Sequence, residues 1–189
     1  CSALACMQDM IAGGTDTASV TLEWAMAELV GNPRAIAKLR AVLKEVLRLH
    51  PAAPLLIPHQ STTAAVVQGY EIPAETALFV NAWAIGRDPA AWGATAEEFW
   101  PERFLGGGSA QGVDLRGNDY QLLPFGAGRR LCPGISFAMP VLEIALCSLV
   151  RHFDWKLPAE ARLDMNEAPG LITPPLAPLR LVPKCRRQQ

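Results

Sequence analysis

Paired cysteines are the first thing this sequence lacks. Its five cysteines stand at positions 1, 6, 132, 147 and 185, an odd number with no C-x-x-C spacing. That argues against a disulfide framework or a cysteine-based zinc site and fits thiols kept reduced on the cytosolic side. An excess of one charge is missing too. Lys and Arg number 17 and Asp and Glu 18, for a formal net charge of -1, so no basic stripe of the kind nucleic acid needs is present. Long apolar runs are also scarce. The longest, Ile135 to Val150, is interrupted by Ser136 and Glu143, which is short for a membrane-spanning helix. No signal-peptide pattern opens the chain. It starts on Cys1 and enters a helical pattern almost at once, so a fragment of a longer protein is the expectation.

What is present is ample core material. Half of the 189 residues are hydrophobic, enough for one domain with a sizeable core. Apolar residues at helical spacing predict a long helix over Ala3 to Val30, stopped by Gly31-Asn32-Pro33. A second helical pattern runs from Arg34 to His50 and ends at Pro51. Ala52 to Ile57 reads as an extended, proline-containing run, and Tyr70 to Pro73 as a turn. Val66-Val67 and Ala77 to Val80 read as short strands. Phe137 to Phe153 is expected to be a mostly buried helix that tolerates Pro140 near its start. Short strands are expected around Leu171 to Thr173 and Leu179 to Leu181, and Lys184 to Gln189 as a polar, disordered tail.

Three stretches carry more than packing. The first is Pro124-Phe125-Gly126-Ala127-Gly128-Arg129-Arg130-Leu131-Cys132-Pro133-Gly134. Its glycines let the backbone bend sharply and come close to something flat and large. Cys132 stands just ahead of a predicted helix, and Arg130 is two residues away. Helix amides and a cation favour an anionic sulfur, and an anionic sulfur is a soft metal ligand. The second is Gly13-Gly14-Thr15-Asp16-Thr17. Two glycines in mid-helix cost roughly 1 kcal/mol each relative to alanine, which fits a helix that passes close to a cofactor or kinks in packing. The third is Glu45 and Arg48, which share a helix face at i, i+3. Alone they read as an exposed ion pair.

Taken together these stretches resemble the cytochrome P-450 family. Phe125, Gly128, Arg130, Cys132 and Gly134 match F-x-x-G-x-R-x-C-x-G at every fixed position. Gly13 to Thr17 resembles the family's oxygen-binding motif, although Ala18 stands where Thr or Ser is common and Ser19 follows. Glu45 to Arg48 resembles the E-x-x-R helix, with its partner segment at Pro101-Glu102-Arg103-Phe104. The wording A-G-R-R-L-C-P-G and L-R-L-H-P is similar to plant A-type members.

The resemblance implies a mainly α fold with a small β component (α+β), the C-terminal part of the cytochrome P-450 fold. Residues 1-183 would form the incomplete haem-binding part of one domain and 184-189 a tail. It implies haem b (iron protoporphyrin IX) as cofactor, with Cys132 as the iron's axial thiolate. Arg130 and His59 would contact haem propionates, and Phe125, Gly126 and Gly134 would shape the cofactor loop. Asp16 and Thr17 would be the acid–alcohol pair that delivers protons during oxygen activation. Glu45, Arg48 and Arg103 would form a buried structural network. The implied activity is that of an oxidoreductase, a haem-thiolate monooxygenase inserting one oxygen atom of O2 into a small organic, plant secondary, metabolite. Electrons would come from NADPH through a separate NADPH-cytochrome reductase. The full-length relatives sit on the cytosolic face of the endoplasmic reticulum membrane, held by an N-terminal anchor absent from this stretch.

One departure stands out. Between Asn32-Pro33 and Ala41 the relatives carry a further helix and loop, so an internal deletion near residues 33-41 is inferred. As a helix, what remains from Arg34 to Arg40 reaches only about 10 Å. The fragment alone is therefore expected to be inactive. Two other readings stay open: a truncated, catalytically inactive remnant, or a non-haem interaction module using Cys132 differently.

Overall fold

The computed structural model describes residues 3–186. Helix α1 spans Ala3–Gly31. Its two halves differ. From Val20 to Leu29 it is largely buried, with Trp24 and Ala25 fully so, whereas Leu4, Met7, Met10 and Ile11 all stand exposed. Asn32 closes the helix by donating its amide to the Glu28 carbonyl at 2.8 Å, and Pro33 prevents continuation.

The shortened junction folds as a 3-10 turn, Pro33–Lys38, and leads directly into helix α2, Leu39–Leu49. The single helix expected from Arg34 thus begins about a turn and a half later, because the tighter turn takes up the connection. Helix α2 is the axis of the fold. Val42, Leu43 and Val46 join Trp24 and α5, defined below, in one apolar cluster. Ala41 and Leu47 join a second one with Trp92, Phe104 and Leu122. Burying each such side chain contributes about 1.5–3 kcal/mol, so a helix clamped on both sides is the best-anchored element.

Among the described residues, three two-stranded antiparallel ribbons flank the helices. Strand β1 (His59–Gln60) pairs with β4 (Ala77–Leu78). Strand β2 (Ala65–Val67) pairs with β3 (Tyr70–Ile72), so the expected turn at Tyr70 is a strand. The turn lies one step earlier, at Gln68 and Gly69, both with positive φ (51° and 86°), as a two-residue type I′ hairpin requires. Residues 52–57 are bent rather than extended: the Leu56 amide donates to the Ala53 carbonyl at 3.1 Å. Short helices α3 (Ala82–Ile85) and α4 (Pro89–Trp92) follow.

Helix α5 runs from Ile135 to His152. It is less buried than expected. Leu142, Leu146 and Val150 face the core, while Phe137, Val141 and Ile144 are exposed. It is also long and apolar enough, by length and composition alone, to cross a membrane, contrary to the expectation that no segment would be. A core helix passes the same test, and Glu143 on α5 forms a bidentate pair with Arg40 at 2.8 and 3.1 Å. Strand β5 (Phe153–Lys156) pairs with β6 (Val182–Cys185). The tail expected from Lys184 therefore starts later. Lys184 and Cys185 are held by the strand ladder, and Arg186 adds a 2.6 Å bond to Asp154. The remainder, 187–189, lies outside the described residues, as does Cys1. The resulting architecture is mainly helical with small sheets, as expected.

Candidate functional site

The cysteine loop is closed by its own backbone. The Cys132 amide donates to the Phe125 carbonyl at 2.9 Å, the Gly126 amide to Leu123 at 3.0 Å, and the Leu131 amide to Gly128 at 3.2 Å. Chain leaving at Phe125 thus returns at Cys132. That path needs left-handed backbone at Gly126 (φ 75°) and Gly128 (φ 63°), which glycine alone adopts without a Cβ penalty. The loop rests on Leu56, whose Cδ1 lies 3.8 Å from the place a Gly126 side chain would begin. Phe125 packs against the cluster around Trp92 and Phe104. Gly134 caps α5, and the Cys132 sulfur sits 3.7 Å from its Cβ position. The sulfur therefore lies at the helix end whose first amides have no carbonyl partners. Cys132 is free and partly exposed, and Arg129 and Arg130 are exposed beside it on a 3-10 turn, Gly128–Arg130.

On α1 the hydroxyl groups form a ladder. Thr15 donates to the Ile11 carbonyl at 2.7 Å, Thr17 to Gly13 at 2.6 Å, Ser19 to Thr15 at 2.9 Å and Thr21 to Thr17 at 2.8 Å. Each is the i−4 back-bond that Ser and Thr make inside helices. Asp16 is exposed and Thr17 half-buried. Asp16, Ser19 and Val20 line an open depression of about 310 Å³, with Ile172 and Pro174 opposite. A Cβ added at Gly13 or Gly14 would meet nothing within 4 Å. Contacts among the described residues therefore do not require these glycines.

Glu45, Arg48 and Arg103 come together as expected, all three with fully buried side chains. Arg48 grips Glu45 with two bonds, 2.8 Å from Nε and 2.7 Å from Nη2. Arg103 Nε reaches Glu45 Oε1 at 3.0 Å, and the Trp100 amide donates to the same oxygen at 2.8 Å. The surplus guanidinium protons go to backbone carbonyls, among them Ala96 at 2.6 Å and Thr95 at 2.8 Å. Both arginines lie over the Trp92 ring. The exposed-pair reading of Glu45 and Arg48 is excluded by this burial. His59 does not join any of these groups. It is half-buried on β1, opposite Leu78.

Sequence reasoning missed a second buried polar cluster. His50, 7% exposed, has Glu167 Oε1 3.0 Å from Nδ1 and Glu28 Oε1 3.1 Å from Nε2. Its ring stacks on Trp24 with centroids 3.9 Å apart and planes 3° from parallel. Burial pushes the His50 pKa down, but the hydrogen bonds from Glu167 and Glu28 outweigh it, and the net direction is up. Glu167 moves the other way: burial raises its pKa, but bonding to His50 and the charge of Arg87 bring it below the usual range. Only L-R-L-H-P hinted at this, since the three partners are scattered along the chain.

Comparison with known proteins identifies the family of the chain. The Cytochrome P450 family profile matches residues 2–41 and 39–180, in two pieces that meet at the shortened junction. Cytochrome P450 71A1 of Persea americana is 48% identical over an alignment of 204 residues, covering 93% of this chain and 40% of that protein. The alignment is longer than the chain itself, as an internal deletion requires. Dimethylnonatriene synthase of Zea mays is 44% identical, covering 96% of the chain and 39% of its own length. Among solved structures, a zebrafish cytochrome P450 determined with abiraterone superposes with a TM-score of 0.81 at 29% identity, over 95% of this chain and 47% of that one. The chain thus spans about 40% of the length of the curated relatives it matches.

Proposed function

The chain belongs to the cytochrome P450 family, whose cofactor is haem b, and on that premise we propose that it forms the thiolate-bearing part of a monooxygenase. The substrate class would be a small organic metabolite of plant secondary metabolism, and electrons would arrive from NADPH through a separate reductase. A longer polypeptide of this kind would be held on the cytosolic face of the endoplasmic reticulum by a segment N-terminal to this one.

The observation that carries the proposal is the closed loop that presents Cys132. The residues present fit a large, flat, apolar cofactor. The sulfur is accessible, two left-handed glycines bring bare backbone to the surface, and Gly13 and Gly14 open onto free space. Exposed Arg130 supplies a cation for an acidic cofactor edge. When bound, a thiolate-ligated haem supplies the electron-rich iron that favours O–O cleavage.

The chain's own residues do the rest. The Phe125–Cys132 backbone bond holds the sulfur at the start of α5, and the apolar clusters fix that helix. Asp16, exposed beside the depression, can take a proton from solvent, and Thr17 can pass it on. Ile172, Pro174 and Val20 give the depression apolar walls. His59, half-buried on β1, would contact a propionate.

The test joins residues 1–189 to the N-terminal part of the Persea americana relative, because the exposed apolar residues of α1 and α5 leave the site open on one side. Reduced protein with CO should show the red-shifted Soret band of thiolate ligation, and Cys132→Ser should abolish it. Survival of the band in that variant would overturn the assignment. Thr17→Ala should keep the band but uncouple NADPH use from product, with product formation falling on the order of 10²–10⁴-fold.

A further inference from the structure

A histidine donates from both ring nitrogens only as the imidazolium. His50 has a carboxyl oxygen at each nitrogen, and its ring is too buried for water to substitute. Neutral imidazole would set one nitrogen lone pair against an oxygen. The surroundings supply compensation from every packed element. From α1 come Glu28 and, on its second oxygen, Asn32 Nδ2 at 3.5 Å. From the segment after β5 comes Glu167. From the α3–α4 connection comes Arg87, 3.4 Å from Glu167 Oε1, bonded also to the Leu49 carbonyl and, at 3.2 Å, to Glu97 at the rim. From α3 comes Trp83 Nε1, 2.8 Å from Glu167 Oε2. On α2 itself Arg48 is committed to Glu45, Arg40 to Glu143 and Lys44 to the Val113 carbonyl.

What the cluster holds is a loop. The Ala168 amide donates to Pro174 at 2.9 Å and the Leu176 amide to Asn166 at 2.8 Å, and Glu167 bridges to Pro175. Residues 166–176 therefore close into a hairpin. Its tip is tied at Thr173, whose carbonyl accepts from Trp24 Nε1 at 2.9 Å and whose amide donates to Ala52 at 3.0 Å. His50 grips the base of this hairpin through Glu167 and stacks on the tryptophan that grips its tip. Ile172 and Pro174, on either side of Thr173, line the depression beside Asp16.

We propose that His50 is a positioning residue: bonded to Glu28 and Glu167 and stacked on Trp24, it holds the 166–176 hairpin so that Ile172 and Pro174 form one wall of the pocket beside Asp16. This rests on reading that depression as the substrate side of the monooxygenase. It also carries a pH dependence. The folded pKa of His50 lies above its usual value of about 6.5. The clamp is therefore complete below about pH 6.5 and is lost as pH rises through the raised pKa.

The test is hydrogen exchange of the 166–176 amides in the full 189-residue chain, expressed as protection corrected for intrinsic rate, from about pH 6 to about pH 9. Protection should fall through one titration in the parent. In His50→Phe, which keeps a stacked ring, it should be lower by about tenfold or more and flat with pH, while protection of residues 92–104 stays unchanged. If His50→Phe does not fold, Glu167→Ala gives the same loss of protection, since it removes the acceptor that ties the hairpin to His50. A hairpin equally protected in the variants, or pH-independent in the parent, overturns the proposal. In the haem-loaded chimera, His50→Phe should raise KM for substrate and leave kcat nearly unchanged. Amide protection is read whether or not the protein turns over, so failure of the clamp and failure of the monooxygenase reading are separable.

Discussion

Glu45, Arg48 and Arg103 are all fully buried, and among the described residues no buried side-chain polar atom lacks a partner. Around Cys132 and the first half of α1, by contrast, backbone is bare and large apolar side chains face solvent. Leu4, Met10, Phe137 and Ile144 are 67%, 78%, 77% and 68% exposed. The first region is complete within these residues. The second is open: its glycines relieve no clash within the chain, and its loop is closed by backbone bonds and rests on Leu56 and the Trp92 cluster. Stability and the proposed function thus fall in two different places, and substitutions should sort accordingly.

The sharpest way to break the comparison is Arg48→Ala. It strips Glu45 of two bonds and leaves only Arg103 and the Trp100 amide on that buried carboxylate; breaking a buried charge network costs about 3–5 kcal/mol, a large part of the roughly 5–15 kcal/mol available to a domain. Denaturant unfolding followed by circular dichroism should show loss of the cooperative transition. The Glu45→Ala, Arg48→Ala double variant should cost much less than the sum of the singles. Strict additivity would mean that the three residues do not act as a unit.

Helix α5 allows the same comparison within one element. Leu146→Ala, on its fully buried face, should cost about 2–5 kcal/mol. Ile144→Ser, on the exposed face, should leave the unfolding midpoint almost unmoved and reduce self-association in sedimentation. Comparable destabilisation by both would show that the outer face is covered.

Glycines sharpen it further. A Cβ at Gly86 would collide with the Arg48 carbonyl, so Gly86→Ala should destabilise the closed region. Gly13→Ala should stabilise the chain by about 1 kcal/mol, yet reduce turnover in the haem-loaded chimera, because the space it fills is reserved. A gain in both stability and turnover would remove the functional reason for that glycine. The smallest effect belongs to Arg40→Ala. The Arg40–Glu143 pair stands at the surface, where such pairs contribute little, so thermal melts should not distinguish this variant from the parent.

Much of this division was legible in the sequence. Helical periodicity located α1, most of α2 and α5, because one buried stripe per helix leaves a regular apolar pattern. Glu45 and Arg103 were found through their motifs, and the structure returned both at zero exposure. What escaped lacked local pattern. Leu56 turns with φ 53° in a run whose prolines suggested extension. Tyr70 was assigned to a turn that belongs to Gln68-Gly69. The burial of α5 was overestimated because apolar composition does not say which faces are covered. His50, Glu28 and Glu167 carry no periodic signal, and only the fold makes them neighbours.

The hydroxyl ladder on α1 has a consequence for the direction of traffic through Thr17. A hydroxyl owns one proton and two lone pairs, and Thr17 has already placed its proton on the Gly13 carbonyl at 2.6 Å. At rest the oxygen is therefore an acceptor only. In the proposed proton-delivery role, handing a proton onward requires rotation about χ1 and release of that carbonyl, which keeps its backbone bond within the helix. Passage through Thr17 would then be a two-stroke movement, receive and then turn. A solvent deuterium isotope effect on coupling should therefore be present in the parent chimera and absent in Thr17→Ala.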